Sequence, residues 1–417
     1  MSSHFTAWFG ACLIILHANN LPAQQPDKIS TVGGRFASVL QPEGVPVGAM
    51  RLYPRFGAGA LYSDNVFAND EFEESDWAVL MLAEAVLQSD TSRYFIELGA
   101  RADLARFSDF DINDYDNGRV WFATQKDLTS ASDVDFDLGY ARLTEPRTSA
   151  NIARGSLELT PYGVTSVSGQ YRFQPSRWAL RVDGRYRYLD FDDVLTLTGP
   201  VNSDDRDRKG LDFGTRIGYD LADAYGLFLE ARLSSLEYDQ RIDNQGFARS
   251  FDGNEIRLGA ELRLAGLVVG EFFLGYLTRE FDDPRFAKAQ GPSYGAAIDW
   301  VITELTTLTI GGSRTTDPTT VAGASTILNS RVLLGVDHEL RRNLILQLGI
   351  EVANEDFQDI EREDDNVIIK LGTEYRMNRN FWLVAGYRHW DRDSGPPGSG
   401  GRRFTINEVT IEVTYQI

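Results

Sequence analysis

Cysteine, histidine and long apolar runs are what this chain of 417 residues has least of. Its single cysteine, Cys12, falls inside the apolar stretch 5–16. That stretch has the length of a signal-peptide core and is followed by the small-residue site Leu21-Pro22-Ala23, so residues 1–23 read as a cleaved export signal, with only His4 where basic residues usually stand. The apolar run continues past Cys12, which makes a poor lipoprotein site. Cleavage leaves a mature chain without a thiol, hence without a disulfide or a cysteine metal site, as an oxidising compartment tolerates.

No run approaches the roughly 18 apolar residues that carry a helix across a bilayer. The strands of a membrane β-barrel escape that test, because they alternate and average to neutral hydropathy, so a hydrophobic content of 42% with 38 glycines permits one. Basic charge is scarce as well. The 41 Lys and Arg against 61 Asp and Glu leave a net charge of -20, which excludes nucleic acid as a partner. The acidic runs 71–76, 108–116 and 354–365 read as solvated loop tips. Carboxylates collecting divalent cations near an anionic outer leaflet are the alternative, although none of the runs has EF-hand spacing.

Beyond the signal only His338 and His389 remain, one beside a short turn and the other near the opposite end of its own strand. Neither G-x-S-x-G, HExxH nor a P-loop occurs, so no enzyme, cofactor or metal site is expected.

What the chain does have is a period of two. In 254–264, Ile256, Leu258, Ala260, Leu262 and Leu264 share one face while Glu255, Arg257, Gly259, Glu261 and Arg263 share the other. Ala265-Gly266 reverses the chain, and Val268, Phe272, Leu274 and Tyr276 resume the apolar face opposite Glu271 and Arg279, which makes a β-hairpin. A soluble sandwich would bury such a face against a second sheet, so one hairpin does not decide the architecture. The same alternation recurs from Arg51 to Ile417, after a Pro- and Gly-bearing segment 24–50 that reads as an extended periplasmic lead-in.

About eighteen candidate strands result, the first near 51–62 and the last over 404–417, each long enough to cross a bilayer when tilted. Short turns at 174–177, 265–266, 302–305, 339–343 and 378–380 alternate with long polar loops at 191–208, 240–253, 282–292, 316–325 and 392–403. Alternating lengths put every long loop at one end, as in outer-membrane barrels with short periplasmic turns and long external loops. The fold expected is therefore all-β: a single transmembrane antiparallel up-and-down barrel over 51–417, in the outer membrane of a Gram-negative bacterium, with membrane lipid and the assembly machinery as partners.

Aromatics near strand ends are expected to form two interfacial girdles. Trp178, Tyr225, Trp300, Tyr375, Phe381, Trp382 and Tyr415 lie by the short turns. Tyr62, Phe107, Tyr188, Phe191, Tyr238, Phe281 and Trp390 lie by the long loops. The last strand places Val409, Ile411, Val413, Tyr415 and Ile417 on one face, which suits barrel closure.

The stretch LYPRFGAGALYSDNVFAND (52–70), centred on Tyr62-Ser63-Asp64-Asn65-Val66-Phe67 and followed by a strand ending Leu87-Gln88-Ser89-Asp90, resembles the opening of the putative β-barrel porin 2 family. The resemblance covers residues from about 50 to 417. It implies an outer-membrane barrel associated with export of extracellular polysaccharide, with periplasmic polysaccharide-export proteins as partners. It carries over no catalytic or binding residues. The chain ends in Ile417, where many outer-membrane proteins end in Phe.

If the apolar face meets lipid, the other face lines the lumen. Glu97, Arg101, Asp103, Asp135, Asp137, Glu230, Arg232, Glu255, Arg257, Glu261, Arg263, Glu271 and Glu351 then make a wall of mixed sign. Arg172, Arg181, Arg185, Arg187 and Arg216 form a basic stripe on three neighbouring strands, with Asp183 and Asp212 among them. The stripe either contacts a transported solute or holds the wall through cross-strand ion pairs. A barrel of this size leaves an aqueous channel unless something fills it, and folded-in loops such as 144–160 or 191–208 are the expected constriction. The function expected is a porin-like passage for polar or sugar-like solutes. The alternative is a structural or adhesion barrel with ligand-binding loops and no open pore.

Overall fold

A computed structural model describes residues 31–417, apart from 39, 90, 92, 93, 153, 154, 265 and 266. The signal segment and the turn at 265–266 lie outside the described residues. The main sheet has 19 strands, of which the three-residue Val45–Val47 is a lead-in, so eighteen build the wall.

In chain order they are β1 (Met50–Ser63), β2 (Asp76–Ser89), β3 (Tyr94–Phe107), β4 (Tyr115–Thr129), β5 (Ser132–Thr144) and β6 (Pro161–Phe173). Next come β7 (Trp178–Phe191), β8 (Arg208–Ala222), β9 (Tyr225–Tyr238), β10 (Phe251–Leu264), β11 (Val268–Phe281) and β12 (Ala289–Thr303). The last six are β13 (Thr306–Pro318), β14 (Thr326–Arg341), β15 (Leu344–Phe357), β16 (Arg362–Arg376), β17 (Phe381–Gly395) and β18 (Phe404–Gln416).

Each strand pairs antiparallel with the next, and β1 pairs with β18 through Ala58↔Val413 and Ala60↔Ile411. The sheet is thereby closed, and no edge presents unpaired N–H and C=O groups to hydrocarbon. Val45–Val47 folds back on Met50–Leu52, next to the part of β1 that β18 does not reach.

Register shifts at 127/129, 220/222, 301/303 and 339/341 all sit beside short turns, where an extra residue on one strand lets the chain reverse in so few residues.

Burial decides which face is outside. Leu258 and Leu274, paired across β10 and β11, are 64% and 70% exposed, whereas Glu230 on the opposite face of β9 is 1% exposed. On β18, Val409, Ile411, Val413 and Tyr415 are exposed likewise. Hydrocarbon is the solvent that accepts a continuous band of such side chains, so the apolar face is the lipid face. Among the described residues no helix is long and apolar enough to cross a membrane.

Two expectations about the connections need correction. The run 354–365 is not a loop tip: only 358–361 connect β15 to β16, and Asp364 is fully buried beside Arg362, whose Nη2 lies 2.5 Å away. The segment 24–50 is not extended throughout either. Val32–Ser38 is a short helix, α1, with the Gly34 N–H donating to Thr31 Oγ1 at its start. Gly33 and Gly34 disfavour a helix there, and tertiary contact overrides them: Val32 and Phe36, one turn apart, pack on Ile345 of β15.

Candidate functional site

Among the described residues the lumen wall gathers a dense lattice of charge. Odd positions on β7, β10 and β11 and even positions on β8 and β9 point inward, and the register sets them side by side. Arg181 pairs with Arg216, Arg216 with Glu230, and Glu230 with Arg257 in one row across four strands. Glu230 is the hub. Arg216 Nη2 approaches it at 2.9 Å and Arg232 Nη1 at 2.8 Å, with Arg181 at 3.6 Å and Arg257 at 3.8 Å. Arg216 reaches on to Glu271 at 2.8 Å, and Arg232 to Asp183 at 3.1 Å.

Arg216 also lies 3.8 Å over the Phe228 ring and Arg257 4.4 Å over Phe273. The Phe273 ring leans over Gly295, and the Phe228 ring over Gly259 of the neighbouring strand, where an added Cβ would lie 2.2 Å from it. That glycine is required by the close approach of the ring.

The five stripe arginines all face inward, and their partners differ. Arg172 binds Asp133 and Asp135 at 2.8 and 2.9 Å, while Arg181 and Arg216 belong to the Glu230 lattice. Arg185 stands opposite Asp212 in register. Arg187 lies within electrostatic reach of Asp317 on β13, six strands further round the wall. Arg172, Arg181 and Arg216 thus form ion pairs with carboxylates of the wall itself.

Loops interlock across the long-loop mouth. Segment 145–160 leaves the wall between β5 and β6 and touches loops on several other sides. Glu145 is bound by Arg206 from 192–207 at 2.8 Å, and the Leu157 N–H donates to the Leu195 carbonyl. Asn151 Oδ1 accepts from Thr319 Oγ1 and Thr320 N, and Ala150 packs on a cluster of Ala324, Ile327 and Phe357. Thr148 O accepts from Arg392 Nη1 at 2.8 Å, and Ser149 O from Arg402 Nη2 at 3.1 Å. The loop after β5 therefore lies against the wall near β13–β17, across the mouth.

A second loop, 239–250, is locked by buried Arg249, which donates to the carbonyls of Thr319, Val321 and Ala324 and pairs with Asp243. Burial pushes the Arg147 and Arg402 guanidinium groups down to about 10, and the Asp207 carboxyl up to about 6. Asp283 goes the other way, held well below the usual carboxylate range by the Arg285 guanidinium and by main-chain N–H donors.

At the short-turn mouth, α1 lies against the inner wall. The Val32 N–H donates to Thr307 Oγ1 at 2.9 Å, the Phe36 carbonyl accepts from Arg376, and Arg35 is 3.8 Å from Glu339. Arg376 is sandwiched between the Phe36 and Trp382 rings at 4.4 and 4.2 Å.

The geometry fits a wet-walled passage with both ends furnished, and the sequence comparison says whose it is. The family model described as "Putative beta-barrel porin 2" matches residues 38–417. The chain belongs to this family. Among solved structures, this member of it is similar to the outer membrane protein OpdK of Pseudomonas aeruginosa, with 11% identity, 88% of this chain and 98% of that one covered, and a TM-score of 0.44. A BenF-like porin from Pseudomonas fluorescens Pf-5 gives 10%, 88%, 99% and 0.46. The ferric enterobactin receptor PfeA of Pseudomonas aeruginosa, as a mutant, gives 8%, 88%, 80% and 0.47. No curated protein matches the chain. The protein is an outer-membrane β-barrel related to porins.

The family member departs from the expected girdles in one respect. At the short-turn end Trp178, Tyr225, Trp300, Tyr375, Phe381 and Tyr415 do face lipid, but Trp382 is buried beneath Arg376. At the loop end Phe191, Tyr238 and Trp390 are buried too, and Phe107 and Phe281 share the inward parity. These rings form a collar inside the mouth, with Arg206 4.1 Å over Phe191, Arg362 4.0 Å over Phe357 and Arg392 5.2 Å over Phe404. Parity was the available signal: Phe191 keeps step with lumenal Arg185 and Arg187, so proximity to a strand end was the wrong criterion.

His338 and His389 bond to Thr306 Oγ1 and Asn407 Oδ1 on different strands and do not meet. Among the described residues no group of three or more His, Cys, Asp or Glu is arranged to hold a metal ion.

Proposed function

We propose that the barrel is a passage for polar, sugar-like solutes across the outer membrane, and that its role within the family is export of extracellular polysaccharide. The observation that carries this reading is the contrast between the two faces of one sheet: hydrocarbon-compatible outside, and lined inside by guanidinium and carboxylate groups that hold water. Such a wall suits a hydrated solute and gives an apolar one nothing. The stripe arginines Arg172, Arg181, Arg185, Arg187 and Arg216 are the candidate solute contacts, with Arg185 and Arg187 nearer the external mouth. Periplasmic polysaccharide-export proteins would meet the short-turn mouth beside α1, and the assembly machinery would insert the barrel into outer-membrane lipid.

The interlocked loops favour one competing reading, a structural or adhesion barrel whose packed cap binds ligands and never opens. Single-channel recording in planar bilayers separates the two. A passage gives stable conductance steps, and neutralising Arg181, Arg185 and Arg187 together shifts its selectivity towards cations. Unchanged anion/cation permeability in that triple variant would remove the stripe from the mechanism, and the lack of any conductance would leave the adhesion reading.

A further inference from the structure

Beneath the cap, the inner faces of β13–β17 carry polar side chains that are buried without using all their hydrogen-bonding capacity. Asn329, 5% exposed, donates its amide to Asp317 at 3.0 Å, and its Oδ1 has no partner. Asn366, 3% exposed, accepts at Oδ1 from Trp390 Nε1 at 3.0 Å and Arg392 Nε at 2.8 Å, which leaves its Nδ2 unpaired. Glu355 Oε2 also lacks a hydrogen bond, with Arg392 3.7 Å away.

Register brings the three together. Glu355 stands directly opposite Asn329, and Asn366 stands opposite Ala353, hence diagonal to Glu355. Direct neighbours in such a sheet are about 5 Å apart and diagonal ones about 7–8 Å. Two acceptors and one donor therefore stand close together on one stretch of the inner wall. Thr148 and Ala150 of the crossing loop lie over it, the first accepting from Arg392 and the second packed with Ile327 and Phe357.

We propose that this patch is a binding site, occluded by the cap, for an uncharged polyhydroxylated ligand of the saccharide type. Buried polar atoms are paired in native proteins, and orphaned ones call for a partner. A hydroxyl both donates and accepts, so adjacent hydroxyls answer Asn366 Nδ2, Glu355 Oε2 and Asn329 Oδ1 in turn. An anion meets Asp317, Glu355 and Asp364 there, and a cation meets Arg392 and the Asn366 donor. The proposal rests on the reading of the barrel as a sugar passage and names the place in it where one unit is held.

The test is calorimetric titration of the full-length protein in nanodiscs with maltohexaose, and with hexagalacturonate as the charged counterpart. It compares the wild type, Arg402→Ala to loosen the cap, and Asn329→Leu/Asn366→Leu to fill the patch with apolar groups of similar volume. Maltohexaose should bind the first two, with affinity at least about tenfold weaker in the filled variant. The filled barrel should melt lower than the wild type, because Trp390 Nε1, Arg392 Nε and the Asp317 carboxylate lose their partners, so a Glu355 variant is the one that separates binding from folding. Glu355→Gln, which keeps the shape of its side chain, should weaken binding several-fold without moving the melting point.

Equal affinity in the filled variant, no neutral-sugar binding with or without Arg402, or preference for the galacturonate would each overturn the site. Conductance recorded on the same samples keeps the two readings apart. A conducting barrel that binds no sugar loses the site and keeps the passage, whereas a binding barrel that never conducts keeps the site and loses the passage.

Discussion

Arginine does two different jobs in this molecule. In the lattice on β7–β11, Arg181, Arg216, Arg232 and Arg257 are answered by carboxylates of the wall, and Glu230 alone gathers all four. In the cap, Arg402 and Arg249 are answered chiefly by main-chain carbonyls of loops, and Arg392 of β17 adds a bond to the Thr148 carbonyl. The physical reason is the backbone. Strands consume their own carbonyls in the ladder and leave side chains to balance charge, while irregular loops leave carbonyls open, and five donors on a rigid fork collect several at once. A lattice of paired charges fixes the wall, whereas single arginines on carbonyls hold segments that other contacts can release.

The largest effect should come from the lattice. Glu230→Ala leaves Arg216 and Arg232 buried without their shared counter-charge, a loss of about 3–5 kcal/mol. Unfolding in urea, followed by gel mobility and circular dichroism, should show it, and a variant as stable as the wild type would mean that the lattice does not hold the wall.

Arg392→Ala with Arg402→Ala should cost less stability than Glu230→Ala and raise conductance or its open fraction, since it frees the 145–152 contacts together with the Arg392 bond to Asn366. If this pair costs as much stability as Glu230→Ala, the contrast between wall and cap fails.

A smaller effect concerns pH. Asp207, raised to about 6, accepts the Phe191 N–H at the base of the cap. Because its folded pKa lies above the unfolded value, its ionised form costs stability above pH about 6, and that cost disappears as pH falls towards the usual carboxylate range near 4. Acidification over that window should therefore tighten the 192–207 segment. Asp283 opposes this only at much lower pH, because its depressed pKa keeps it ionised throughout the window. Conductance recorded from pH 7 to 4 should fall in the wild type and fall less in Asp207→Asn. The smallest change is expected from Val32→Ser with Phe36→Ser, which detaches α1: a slight rise in conductance with unaltered melting.

Much of the fold was legible in the chain because a barrel wall is a local pattern repeated. Alternation of Ile256, Leu258 and Ala260 with Arg257, Gly259 and Glu261 needs no distant partner to be read, and the same holds for the lumenal parity of Arg172, Arg181, Arg185, Arg187 and Arg216. The cap was only half visible. A folded-in loop near 144–160 was expected, but its bonds to Arg392 and Arg402 join residues more than two hundred positions apart.

Sequence by itself determined which faces of the strands are greasy and which are charged, where the chain turns, and so that the strands would close into a barrel in a bilayer. Those properties have a period of two residues, and hydrocarbon selects between the faces without further information. Tertiary structure alone decided that the loop after β5 reaches across to β13–β17, that α1 folds despite Gly33 and Gly34, and that Asn329, Glu355 and Asn366 share one patch of the wall. Closing the sheet brings together strands that are remote along the chain, and the resulting proximity depends on register and curvature, which no local pattern carries.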